Sequence, residues 1–166
     1  MTFFVLDANP VKSANLLYWL DAESAAFDGA RIIVSAYEQH GNEVDDLPFT
    51  PMKHPLVRWA VVSAENARWL YRYTRAALIK VGEDENADDA WMDKMHTDLN
   101  AIAASLDERL PRGQQNLFGN FYVDDRIDTI LSQESIESNL VWYEATREHL
   151  RWADKVPWLY DGGEEE

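Results

Sequence analysis

A mostly α-helical fold is what this sequence predicts: a single compact bundle of about five to six helices behind a short extended N-terminal segment. Three observations lead there. Apolar residues recur at helical spacing, as in Trp91, Met95, Leu99, Ile102 and Leu106. Helix-entry and helix-stop residues punctuate the chain, with Asn9-Pro10, Gly41, Pro55 and Gly82 the clearest. The 166 residues, 46% of them hydrophobic, suffice for one real core. A single domain is expected over residues 1–161, with 162–166 a frayed acidic tail.

Taken in order, Thr2 to Leu6 is β-prone and reads as an edge strand or an extended segment. Asn9 can cap a helix that has Pro10 at its first position. That helix is expected from Val11 to about Leu20, presenting Leu16, Leu17 and Leu20, with Asp21 capping the next segment. Gly29 predicts either a break or a tight helix contact. Ala30 to His40 is helical, with Ile32, Ile33 and Ala36 inward, Arg31, Ser35 and Glu38 on another face, and Gly41 as its end. Asn42 to Pro51 is a loop anchored by Phe49.

His54 to Lys80 reads as one long amphipathic helix, entered at Pro55 and stopped at Gly82. At roughly 100° per residue, Trp59, Val62, Ser63, Asn66, Leu70, Tyr73 and Ala77 share one face. Arg68, Arg72 and Arg75 lie opposite, beside Glu65. Ser63 and Asn66 are the polar residues on the face expected to be buried, where an amide must bond a neighbour or line a polar cleft. The cleft reading places His54 at its entrance and Trp59 as its wall, so His54, Trp59, Ser63 and Asn66 are the candidate ligand-binding residues. The arginines Arg68, Arg72 and Arg75 are most simply a solvated face; their functional reading is an anion- or nucleic-acid-binding stripe.

Glu83 to Asp89 carries five acids in seven residues and reads as a solvated loop leading into a helix N-terminus. Its spacing does not match an EF-hand loop, and no metal site is expected there. Trp91 to Leu110 is the next helix, with His96 beside its apolar stripe. Pro111 to Asn120 is the longest non-periodic loop. Ile127–Leu131 and Ser138–Asp154 read as helices, and Pro157 to Tyr160 as a terminal aromatic hook.

Charge and composition narrow the function. Lys53 to Lys80 holds six Lys/Arg against one acid, while the rest holds nine bases and twenty-nine acids, so +5 here stands against −20 elsewhere. A net charge of −15 opposes nucleic-acid binding over the whole surface. The absence of cysteine excludes disulfides, thiolate metal sites and a cysteine nucleophile. No apolar run approaches the ~18 residues of a membrane span, and the N-terminus lacks a basic leader, so a cytoplasmic protein without membrane partners is expected. No Gly-rich phosphate loop, His-Glu-x-x-His pair or nucleophile elbow occurs, and His40, His54, His96 and His149 form no ligand pattern.

The opening Phe4-Val5-Leu6-Asp7-x-Asn9-Pro10 and the block His54-Pro55-x3-Trp59-x3-Ser63-x2-Asn66-x2-Trp69-Leu70 resemble a group of small phage-encoded proteins of unassigned chemistry. The Tyr143 region and the Pro157-Trp158 terminus fit the same layout. Members of that group carry Asp-Lys-His-x-x-Lys in the second helix; here Asp21-Ala22-Glu23-Ser24-Ala25-Ala26 stands instead, without the two lysines and the histidine. The resemblance implies a phage accessory protein, and the departure favours binding over catalysis. The expected ligand is a nucleotide or nucleic-acid component, with no cofactor. The alternative is an acidic inhibitor or DNA mimic that acts on a basic host protein.

Overall fold

The computed structural model describes residues 2–47, 49–84, 86–113, 121–122, 140 and 143–144. These form β1 (Thr2–Phe3), α1 (Pro10–Asn15), α2 (Trp19–Gln39), α3 (Pro55–Ala60), α4 (Ala64–Gly82), α5 (Asp89–Arg109) and β2 (Phe121–Tyr122). The mostly helical bundle is as predicted. The extended N-terminal segment pairs antiparallel with β2, Thr2 opposite Tyr122. The expected helices Ile127–Leu131 and Ser138–Asp154, most of the Pro111–Asn120 loop and the Pro157–Tyr160 hook lie outside the described residues, apart from Leu140, Tyr143 and Glu144.

Helix α4 is the hub, packed against α1, α2, α3 and α5. It earns that position by burying Ala67, Leu70, Tyr73, Thr74, Ala77 and Leu78 along one side. Its principal partner is α2, and Gly29 sets the approach. A Cβ at Gly29 would sit 2.2 Å from Thr74 Oγ1 and 3.2 Å from Thr74 Cβ. Of the two readings of Gly29, the tight contact is the observed one, and α2 runs unbroken through it. Gly41 ends the region as expected, adopting φ +78°, which only glycine tolerates cheaply.

Two helix boundaries differ from the expectation, for related reasons. The first helix ends at Asn15 rather than near Leu20, because tertiary partners take the backbone that would have continued it. Tyr18 N–H donates to the Tyr143 hydroxyl at 2.7 Å, and Lys80 Nζ donates to the Leu17 carbonyl. Tyr143 is fully buried, edge-on to Phe4, and donates onward to Asp21 at 2.7 Å. Asp21 therefore holds that ring and sits in the first turn of α2; it is not the cap, which is Tyr18.

The second difference divides the central helix. His54 to Lys80 is two helices, α3 and α4, separated at Val61–Ser63. Ser63 is extended (φ −153°, ψ 156°) and caps α4, its hydroxyl accepting from Asn66 N–H at 3.2 Å. Ala64 N–H donates to the Pro111 carbonyl at 3.0 Å, so a backbone group freed by the break finds a partner across the fold. Val62, expected inward on an unbroken helix, is instead 54% exposed. Trp91 likewise lies at the rim, while Met95, Leu99, Ile102 and Leu106 of the same stripe are buried.

The Gly29 contact generates a prediction. Gly29→Ala should destabilise the protein by about 1–3 kcal/mol through overpacking, despite alanine's better helix propensity. Thr74→Ala in the same background removes Oγ1, the nearest atom, and Cγ2, leaving only Cβ at 3.2 Å, and should recover much of that loss. Urea unfolding of the single and double variants measures both.

Candidate functional site

The four residues expected to line one cleft separate into two places. Asn66 is fully buried, and its side-chain amide donates to the Trp59 carbonyl at 2.9 Å. Ser63 is 2% exposed and occupied as the cap of α4. Trp59 is half-buried and stands edge-on to Trp69, which stacks on Tyr73 and donates Nε1–H to the Ala8 carbonyl at 2.9 Å. Ser63, Asn66 and Trp59 thus knit the junction between α3 and α4. A break exposes backbone groups that an unbroken helix would satisfy internally, and these side chains are used to satisfy them.

His54 goes elsewhere. It caps α3, Nδ1 accepting Leu56 N–H at 3.1 Å, which leaves the ring proton on Nε2. Burial pulls its pKa down to about 4, so the imidazole is neutral at physiological pH. On its open side lies a cleft of about 730 Å³ between the C-terminal part of α2 and the segment entering α3. Ser35, Glu38 and Gln39 form one wall, Met52 and Lys53 the other, and Arg58 closes the α3 end. Trp59, Ser63 and Asn66 do not line it. Its volume is that of an ordinary small-molecule site.

The wall opposite α2 is held by a residue expected to face another way. Ser35 is buried at 4% exposure. Its hydroxyl accepts Met52 N–H at 2.7 Å and has the Arg31 and Met52 carbonyls at 2.7 and 3.0 Å for its single proton. Arg31 Nε adds a bond to the Thr50 carbonyl at 3.1 Å. Together they fasten the loop that presents Lys53 and His54. Ser35 and His54 share the cleft with Glu38, but their wiring is not that of an activated nucleophile. The serine hydroxyl is committed to backbone, His54 Nδ1 accepts where a triad histidine would donate to a carboxylate, and its pKa is too low for a general base.

The arginine face divides as well. Arg68 pairs with Asp107 of α5 at 2.5 Å, and Arg112 reaches the same carboxylate at 3.1 Å. The Arg68 hydrogen bond holds the Asp107 carboxyl below the usual range. Glu65 is not turned to Arg68 alone: it accepts Gly113 N–H at 2.8 Å, and that bond lowers its pKa. Arg72 and Arg75 are exposed. Arg68 therefore braces α4 to α5, while Arg72 and Arg75 remain the solvated part of the stripe. Among the described residues, no group of three or more His, Asp or Glu is placed to hold a metal ion, and no helix is long and apolar enough to cross a membrane.

Sequence reasoning missed Lys53, Arg58 and Ser35. The first two stood in the basic segment but were passed over for the arginines of α4. Ser35 gave a signal only in its company, between Ile32-Ile33 and Ala36. No family model, curated protein or solved structure matches this chain.

Two predictions follow from the geometry. Asn66→Ala should cost about 1–3 kcal/mol, since it removes the buried amide that ties α4 to the end of α3 at the Trp59 carbonyl, as thermal unfolding will measure. For His54, the folded pKa near 4 lies below the unfolded value of 6.5, so the native state binds fewer protons between them. Its contribution to stability is whole above pH 6.5 and is lost as pH falls toward 4. A His54→Asn variant should flatten that limb of the stability–pH curve relative to the parent.

Proposed function

We propose that the protein binds a nucleotide, or another phosphate-bearing nucleic-acid component, in the cleft at His54. One observation carries this reading: a cleft of about 730 Å³ has two exposed cations, Lys53 and Arg58, at the mouth of the basic segment, in a chain whose remaining charge is −20. Local positive potential is what a phosphate needs, and here it coincides with a concave site. Met52, Pro55 and Val57 offer apolar surface for a base, and Glu38 and Gln39 offer an acceptor and an amide for its edge. The role is binding; the wiring of Ser35 and His54 supports no hydrolytic step. The resemblance to phage-encoded proteins is compatible with this reading, and a protein of that kind would act in the host cytoplasm.

A second reading rests on a separate observation, the −20 charge outside the basic segment, which suits an inhibitor or DNA mimic acting on a basic host protein. Salt-sensitive capture of a host protein that survives Lys53→Ala/Arg58→Ala would favour it.

The test of the cleft is a calorimetric titration with nucleoside mono-, di- and triphosphates. Saturable one-to-one binding is expected, strengthening with phosphate count and weakening with salt. Lys53→Ala and Arg58→Ala should each reduce affinity about tenfold, the loss of a charged hydrogen bond. Equal affinity in the double variant would remove the cleft from the reading.

A further inference from the structure

A second cleft lies at the other end of the α2–α4 pair and has the opposite character. About 200 Å³ in volume, it opens where the first turns of α2 meet the α4–α5 connection. Two indoles line it, Trp19 from α2 and Trp91 from α5, with Met92 alongside. Three carboxylates, Glu23, Asp84 and Asp88, share the lining, and among the described residues no basic side chain does.

The Trp91 indole is fixed from behind. Trp91 rests on Phe27 at a ring-centroid distance of 5.9 Å and on Phe49 at 6.5 Å, yet remains 39% exposed, a large apolar surface left toward solvent. Trp19 and Glu23 stand one helical turn apart on α2 and so face the cleft together. Asp84 and Asp88 come from the connection, whose shape is set by Asp84 accepting Asn86 N–H at 2.9 Å and Asp88 accepting Trp91 N–H at 3.0 Å.

We propose that this cleft binds an organic cation, an alkylammonium or guanidinium group held between Trp19 and Trp91. The carboxylates alone would be a solvated loop. What changes their meaning is the pair of aromatic walls around an open volume, because a π face attracts a cation that has shed part of its water. Trp is the strongest of the three aromatic partners for such a cation. The sign of the local field agrees. The first turn of α5 contributes about half a positive charge, against three carboxylates in the lining. A bare metal ion would gain nothing from the indoles, and a neutral apolar ligand would gain nothing from the negative field of the lining. A cation with an apolar or planar body satisfies both. It can come from a free polyamine or from a lysine or arginine side chain of another protein, and the chemistry is the same.

Calorimetry on the full chain at about 0.15 M salt, where diffuse charge effects are largely screened, tests the site. The probes are tetramethylammonium, spermidine and N-acetyl-arginine amide, applied to the parent, Trp91→Leu and Glu23→Gln. Thermal melts check that both variants are folded. Saturable one-to-one binding is expected for at least one probe, with each substitution weakening it about tenfold, a loss within the range of a cation–π contact or a charged hydrogen bond. Preference for spermidine identifies a polyamine site; preference for the arginine amide identifies a side-chain site. Binding that both variants leave unchanged would be counter-ion association with a protein of net charge −15, and would overturn the proposal. So would the absence of saturable binding by all three probes. Retained binding in Trp91→Leu alone, with loss in Glu23→Gln, would overturn the aromatic cage.

Discussion

Helices α2 and α4 cross at Gly29, where the missing side chain leaves room for Thr74 against the α2 backbone. Both helices bury small residues along their length, Ala22, Ala25, Ala26 and Ala30 on α2 and Ala67 and Ala77 on α4. Small side chains let two backbones approach closely, and close approach replaces bulky interdigitation with many short van der Waals contacts. The price of this arrangement is intolerance of added volume. Thr74 Oγ1 has no hydrogen-bond partner among the described residues, which shows how far packing dominates polarity at the crossing. With that pair fixed, α1, α3 and α5 take places around α4.

Close packing along α4 also explains the break before it. An unbroken helix from Pro55 to Gly82 would carry Val62 to the inward face. The chain instead exposes Val62 and turns at Ser63, so α3 packs against α2 in its own direction. Such a turn leaves backbone N–H groups without helical partners, and Ser63 takes that of Asn66 and Pro111 that of Ala64, while the Asn66 amide joins Val62 N–H on the Trp59 carbonyl. The polar pair that reads as a binding site in sequence is thus employed in making the corner. The corner in turn turns His54 and Arg58 toward α2 and creates the cleft between them.

Much of the architecture was legible because it is locally encoded. Asn9-Pro10 starts a helix, Gly41 ends one, and the apolar period of α5 buries Met95, Leu99, Ile102 and Leu106, all from rules that reach no further than four residues. The errors fall where distant residues intervene. Nothing near Tyr18 announces that Tyr143 will take its N–H, and nothing near Ala64 announces Pro111. Ser63 did carry a local signal, since serine before Ala-Glu is a fair helix start, but the apolar period runs through it almost in phase. Of the four residues expected to share a cleft, His54 alone lines the one beside α2; its neighbours there are Lys53, Arg58 and the end of α2, which only the corner brings together.

The same geometry separates the two clefts. One lies at the C-terminal end of α2, beside Glu38 and Gln39, the other at its N-terminal end, beside Trp19 and Glu23. Fifteen residues of helix part Glu23 from Glu38, roughly 22 Å at 1.5 Å per residue. That is more than twice the ~8 Å screening length at physiological salt, so the charges of one cleft scarcely reach the other. A protein of net charge −15 can therefore hold a locally cationic cleft and a strongly anionic one on a single pair of helices without either cancelling the other. Coupling between them, if a ligand at one end is to affect the other, has to travel through the α2–α4 seam itself. There the Gly29–Thr74 contact leaves little room for one helix to slide on its partner. The arrangement favours two independent clefts on a rigid spacer over one cleft governed by the other.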